Sequence, residues 1–387
     1  MTVLSAQPRS PRYQSLDLWR GVACIFVVLY HSAIVYVSGP RANDNQVTSA
    51  ILGVLNQLNV GVFLFFVISG YCIAAASDSA RRHQSAVRLY FLRRFRRIYP
   101  PLWIVIALAV VFFAVVDVVV SPGLLSAEPW SQLRPWWYSP WQWLGNVTLT
   151  ETWRYHVGGG PRGHFPGQAW TLCYEEQFYA VTGALLLVPR RLFSGAVAVT
   201  ALTVAVMLAA QAAHIDIGGF FFDGSWLTFA AGILVYYAVN YGSERMRPLS
   251  YVVLGAAAIA AGPLGVPGGA LAFCFSGVLL ALHRHDRAIV QSRLAVPLIW
   301  CGQMCYSLYL VHQLVVKAIS QWLYESGIQT GFGTLAITVP VSVAASLIVG
   351  RAFYQIVERR FLNAPVGIRG AIPAAEVPLP ALTTAAV

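Results

Sequence analysis

Lysine is nearly missing from this chain of 387 residues: of 26 lysine and arginine residues only Lys317 is lysine, and just 15 residues are acidic. Charged residues make up 11% of the sequence and hydrophobic ones 57%, with a mean hydropathy of +0.62. That balance excludes a soluble globule and describes a polytopic membrane protein. No Gly-x-Ser-x-Gly elbow, P-loop or His-Glu-x-x-His occurs, which argues against a serine hydrolase, a nucleotide-driven pump and a zinc protease. Cys24, Cys72, Cys173, Cys274, Cys301 and Cys305 all lie in or beside apolar runs, so neither a disulfide framework nor a metal site is expected. The N-terminus lacks the basic start, short apolar core and cleavage site of a signal peptide, and its first apolar run should persist as a helix.

Apolar stretches of spanning length occur near 17–37, 51–76, 98–121, 168–189, 193–213, 224–240, 250–264, 268–282, 298–318 and 332–357, which predicts an all-α chain of about ten transmembrane helices. If the N-terminus is cytoplasmic, the inner segments hold 19 of the cationic residues and the outer segments 5. This asymmetry predicts an inner (plasma) membrane protein with both termini cytoplasmic. It also accounts for the net charge of +11 without a nucleic-acid partner. Residues 1–16 read as a short cytoplasmic segment, 17–362 as one transmembrane domain, and the Ala- and Pro-rich 363–387 as a disordered tail. The longest polar connection, 122–167, is expected outside the membrane; it holds six of the twelve tryptophans and a Gly158-Gly159-Gly160-Pro161 run that cannot be helical. Its aromatic rings suit either the membrane interface or stacking on sugars.

Within the apolar background a few ionisable groups need a reason. Arg20 and His31 are eleven residues apart, three turns plus about 20°, so they share one face of the first helix at depths about 16 Å apart. Arg94 and Arg97, in RRFRRIYP, share a helical face that suits a phosphate or pyrophosphate. Glu175 and Glu176, in WTLCYEEQFY, lie just inside the outer end of the fourth apolar stretch; by helix rise Glu175 is about 10 Å deep and His31 about 9 Å. The two are therefore expected to meet, Glu175 holding the His31 tautomer for general-base work on a hydroxyl. His312, in YSLYLVHQ, is a further candidate, and Glu358 is expected to pair with arginine at the cytoplasmic surface.

Six blocks in register, LDLWRGVACIFVVLYH, FFVISGY, RRFRRIYP, WTLCYEEQFY, YSLYLVH and FYQIVERRF, resemble the membrane acyltransferase 3 family over residues 16–362. The resemblance implies transfer of an acyl group from acyl-CoA, as donor substrate rather than cofactor, to a hydroxyl of an envelope glycan or glycolipid. It also implies essential roles for Arg20, His31 and the arginines before the third stretch. His31 and Glu175 are then the catalytic candidates, with Arg20, Arg94, Arg97 and His312 binding substrate. The chain departs from the family pattern at Leu18, Trp19, Phe63, Thr171 and Arg360. A transporter of an acyl donor or lipid-linked sugar is the alternative, although repeated halves and broken helices, its usual marks, are not expected here.

Overall fold

The computed structural model describes residues 13–35, 45–83, 87–120, 122, 134–188 and 192–362, so the tail and most of the N-terminal segment lie outside the described residues. Regular structure among them is helical: α1 Leu16–Tyr30, α2 Gln46–Asn56, α3 Gly61–Arg82, α4 Val87–Val115, α5 Pro140–Thr148, α6 Glu151–Gly158, α7 Trp170–Leu187, α8 Leu192–Ala213, α9 Ser225–Asn240, α10 Met246–Ala260, α11 Gly269–Leu282, α12 Asp286–Gln291, α13 Val296–Gln303, α14 Cys305–Glu325, the single turn α15 Gly331–Gly333, and α16 Val339–Phe353.

Every one of the ten expected stretches carries a helix. Five of the spans are long and apolar enough to cross a membrane, six if the bent pair α13–α14 counts as one. The other four stretches form α7, α9, α10 and α11; α9 and α10 have 16 and 15 residues, shorter than the ~20 that a perpendicular crossing takes. One expectation fails. The ninth stretch is not continuous, because α13 and α14 meet at a 75° bend with Met304 between them. Glu358 supports the break: it is 3% exposed and accepts the Ser307 backbone N–H at 3.0 Å and the Ser307 hydroxyl, in the first turn of α14. The carboxylate meets orphan donors at a helix start rather than an arginine at the surface, as the sequence had led us to expect.

Helices approach closely where side chains are absent. A Cβ on Gly21 would stand 2.0 Å from the Leu298 carbonyl oxygen, and one on Gly302 only 1.7 Å from that of Asp17, so α1 and α13 touch backbone to backbone. Gly70 and Gly232 play the same part between α3 and α9. Such small-residue contacts are how helices associate where no hydrophobic force separates them from lipid.

The connection before α7 is built on its own polar core. Glu151 is fully buried, receives the Arg154 guanidinium in two bonds of 2.6 and 2.9 Å, and accepts Gly163 N–H at 2.9 Å. Asn146 adds bonds to Gly163 O and from Phe165 N–H. The glycine run is non-helical from Gly159 onward, where φ turns positive (65°, then 76° at Gly160), while Gly158 still closes α6. Of the six tryptophans, Trp130 lies outside the described residues, Trp136, Trp137 and Trp141 are exposed, and Trp143 and Trp153 pack on Phe165 and Phe220.

Candidate active site between two cavities

α1 ends at Tyr30 and widens into a π-helical turn, His31–Val35, so the helix changes register at the histidine. Such turns recur at functional positions. His31 Nδ1 lies 2.8 Å from the Val27 carbonyl oxygen. A carbonyl can only accept, so Nδ1 carries the proton and Nε2 the lone pair. His312, fully buried on α14, is fixed by the same logic: its Nδ1 faces the carbonyls of Tyr309 (2.7 Å) and Leu308 (3.2 Å). Its Nε2 lone pair then meets the His31 Nδ1–H at 3.3 Å. The remaining His31 nitrogen, Nε2, receives the Gln313 amide at 2.8 Å. The result is an imidazole with its tautomer set from behind and its basic lone pair turned toward Gln313.

Two cavities lie along α14, reached by residues adjacent to this pair, although neither histidine is among their lining residues. The first, of about 100 Å³, is lined by Arg20, Arg94, Arg97, Glu175, Tyr179 and Tyr309 among others. Arg20 reaches Asp17 at 2.6 Å and the Cys72 thiol at 2.9 Å. Arg94 lies over the rings of Tyr179 (5.4 Å) and Tyr90 (5.7 Å), which hold a guanidinium by its face and leave its edge for an anion. In α4, Pro100 and Pro101 lack the N–H groups that the carbonyls of Arg96 and Arg97 would otherwise receive.

The second cavity, of about 530 Å³, opens on the other side, under the connection between α4 and α7; Gln313, Lys317, Arg162, His164, Trp137 and Tyr138 are among its walls. Tyr309 belongs to the first cavity and Gln313 to the second, one helical turn apart, with His312 between them. Two wall atoms, Gln313 Oε1 and His164 Nδ1, are buried without a hydrogen-bond partner. Burial, with Arg162 and then Arg154 nearby, holds the His164 imidazole down to about 4, so it is neutral at pH 7.

The sequence-derived set is thus divided. Arg20, Arg94, Arg97 and Glu175 converge on the first cavity, and His31 and His312 form the pair between the cavities. Glu175 does not reach His31: its carboxylate accepts the Tyr179 hydroxyl at 3.2 Å inside the arginine cavity. Equal depth on two helices does not make two side chains neighbours, and Tyr309, whose hydroxyl bonds Gln168 O and Thr171, stands in the wall instead. Neither His31 nor His312 is among the lining residues of either cavity; His31 meets the second through Gln313, and His312, on the Nδ1 side of His31, backs it. Sequence reasoning passed over Gln313, although a polar amide beside His312 in an apolar helix is a visible signal; Tyr179 and Cys72 gave none.

Helical throughout the regular structure of the described residues, with membrane-length apolar helices, a cationic cavity and a buried histidine pair, the molecule has the build of an integral-membrane protein with polar groups set among its helices. The sequence profile of the acyltransferase domain, that of the acyltransferase 3 family, matches residues 13–351, and the chain belongs to that family. It is 26% identical to the peptidoglycan O-acetyltransferase OatA of Listeria monocytogenes over 189 residues, 46% of this chain and 26% of that protein. It is also 26% identical to the exopolysaccharide production protein ExoZ of Rhizobium meliloti over 320 residues, 78% of this chain and 89% of that protein. The acyltransferase MdmB of Streptomyces mycarofaciens is 27% identical over 176 residues, 44% of this chain and 38% of that protein. The chain therefore spans about a quarter of the Listeria relative's length and most of the Rhizobium one's. No solved structure gives a significant match.

Proposed function

We propose that the protein is a membrane O-acyltransferase that moves an acyl group, an acetyl group in the first instance, from acyl-CoA to a hydroxyl of a cell-envelope glycan, exopolysaccharide or glycolipid. The observation that carries this reading is the contact of His31 with Gln313: a neutral imidazole whose Nε2 lone pair accepts the amide of a residue that lines the larger cavity. Relatives named as an O-acetyltransferase and an exopolysaccharide production protein support the glycan acceptor.

Donor phosphates bind at the mouth of the first cavity, held by the forked donors of Arg94 and Arg97 with Arg20 deeper. At about 100 Å³ this cavity is smaller than the ~300–1,000 Å³ of pockets that enclose whole ligands, so it takes the pantetheine arm and leaves the nucleotide outside. Arg20 and His31 are about 16 Å apart along α1, a span that an extended arm covers. The acceptor enters the second cavity, and its hydroxyl replaces the Gln313 amide at His31 Nε2. His31 takes the hydroxyl proton as the oxygen attacks the thioester carbon. The C–O bond forms, the C–S bond breaks, and the departing thiolate recovers the proton from the imidazolium. While charged, that imidazolium is steadied by the Val27 carbonyl and the His312 lone pair on its Nδ1–H. The arginine-rich end faces the cytoplasm, where acyl-CoA is, and the tryptophan-rich connection faces the acceptor.

The test is transfer by purified protein in detergent with acetyl-CoA and an envelope-glycan extract. Wild type should acetylate the extract, and His31→Ala should lose about 10² or more in rate while still binding acetyl-CoA. The bend at Met304 is the one feature that favours the transporter reading. A transporter gives no acetylated product in detergent, so wild-type transfer separates the two, and full transfer by folded His31→Ala would overturn the mechanism.

A further inference from the structure

Lys317, the one lysine of the chain, lies four residues beyond Gln313 on α14, on the same face and about 6 Å further along the axis. Both line the larger cavity, and Arg162 lines it from the connection above. No aspartate or glutamate among the described residues lines it. Among the described residues of the connection Glu151 is buried and paired with Arg154; Asp216, which lies on the Arg162 side and outside the cavity lining, is held by Tyr155 O–H and Gly218 N–H. The Arg162 guanidinium lies 4.2 Å from the Tyr155 ring centre, a contact that uses its face and leaves its edge to a ligand. The cavity wall thus carries two cations, Lys317 and Arg162, together with the rings of Trp137 and Tyr138 and the unpartnered Gln313 Oε1 of the residue bonded to His31.

We propose that this cavity selects an acidic acceptor: a glycan whose carboxylate or phosphate binds Lys317 and Arg162, so that a hydroxyl of the same or the adjoining sugar is set at His31. The inference rests on the acyl-transfer reading for the role of His31, but the binding it predicts does not depend on transfer. A charge placed within about one helical turn of Gln313 is a sugar's width from the reacting hydroxyl. Lys317 therefore fixes which hydroxyl is presented as well as which glycan enters. It is a specificity-determining residue rather than a catalytic one. A compact ammonium suits this work, because it meets a carboxylate or a phosphate oxygen without the geometric demand of a guanidinium.

The probes are trigalacturonate, its methyl ester and maltotriose carrying a terminal phosphate, titrated against purified wild-type protein, Lys317→Gln and Lys317→Arg. Wild type should bind trigalacturonate at least tenfold more tightly than the ester, with the gap closing as salt rises. Lys317→Gln should abolish most of that gap and Lys317→Arg should retain much of it, which also guards against a variant that simply fails to fold. A larger gain for the phosphorylated trisaccharide than for trigalacturonate would assign the natural anion as phosphate. Equal binding of acid and ester by wild type, or a gap undiminished in Lys317→Gln, would overturn the proposal. Transfer failing while acidic probes still bind through Lys317 would instead overturn the acyl-transfer reading.

Discussion

A histidine proposed as a base inside a bilayer needs its proton placed on one known nitrogen, and here backbone carbonyls do that placing. Val27 fixes His31, and Tyr309 and Leu308 fix His312, without a carboxylate. A neutral arrangement avoids burying a further charge, which is costly at that depth. Glu175 is left for another task, as the one carboxylate among Arg20, Arg94 and Arg97 in the cavity wall. In the proposed mechanism it limits repulsion between the guanidiniums until an anionic donor replaces that balance. Glu175→Gln should therefore change KM for the donor while leaving the acidic limb of the pH profile where His31 puts it. A shift of that limb in steady-state kinetics would return Glu175 to the orienting role. The first-helix spacing of Arg20 and His31 and the pair Arg94–Arg97 were legible in the sequence because helical periodicity alone puts them on shared faces. The partner of His31 was not legible, since it comes from α14, and nothing in a string of letters fixes the rotation of one helix against another.

At the scale of elements, the site depends on the contact of α1 with α13 and on the break that follows. Gly302 abuts the Asp17 carbonyl, and Asp17 in turn holds Arg20 at 2.6 Å, so the approach of the two backbones sets the position of the deepest arginine. Gly302→Ala would force a Cβ into a space of 1.7 Å. Overpacking of this kind costs about 1–3 kcal/mol. The expected result is a lower unfolding temperature in detergent together with weaker donor binding. Gly255→Ala on α10, where a Cβ meets nothing within 4 Å, should change neither, and equal behaviour of the two variants would refute the close-contact argument. A helix falls in each of the ten apolar runs, but the break at Met304 was not legible from them. A bend within a continuous apolar stretch leaves no mark in hydropathy when the residues that stabilise it, Glu358 and Ser307, lie 51 residues apart.

For the whole molecule, the two cavities lie along α14 on either side of the turn Tyr309–Gln313, an order that in the proposed mechanism lets donor and acceptor enter from opposite ends. Neither then has to cross the bilayer whole. That advantage exists only if the arginine end faces the compartment that holds acyl-CoA, which the charge asymmetry along the chain predicts: 19 cationic residues on one side against 5 on the other. The prediction can be read with reporters, because Gly159 is exposed at the tip after α6 and has open space around it, a place where an insertion is tolerated. Alkaline phosphatase inserted at Gly159 should be active, since that enzyme needs an oxidising compartment, and a fluorescent protein at the same point, exported unfolded, should stay dark. A fluorescent protein fused before residue 13 should shine. The reverse pattern would place the tryptophan-rich connection in the cytoplasm, put the second cavity on the wrong side for the proposed envelope acceptor, and oblige the proposed donor and acceptor to exchange entrances.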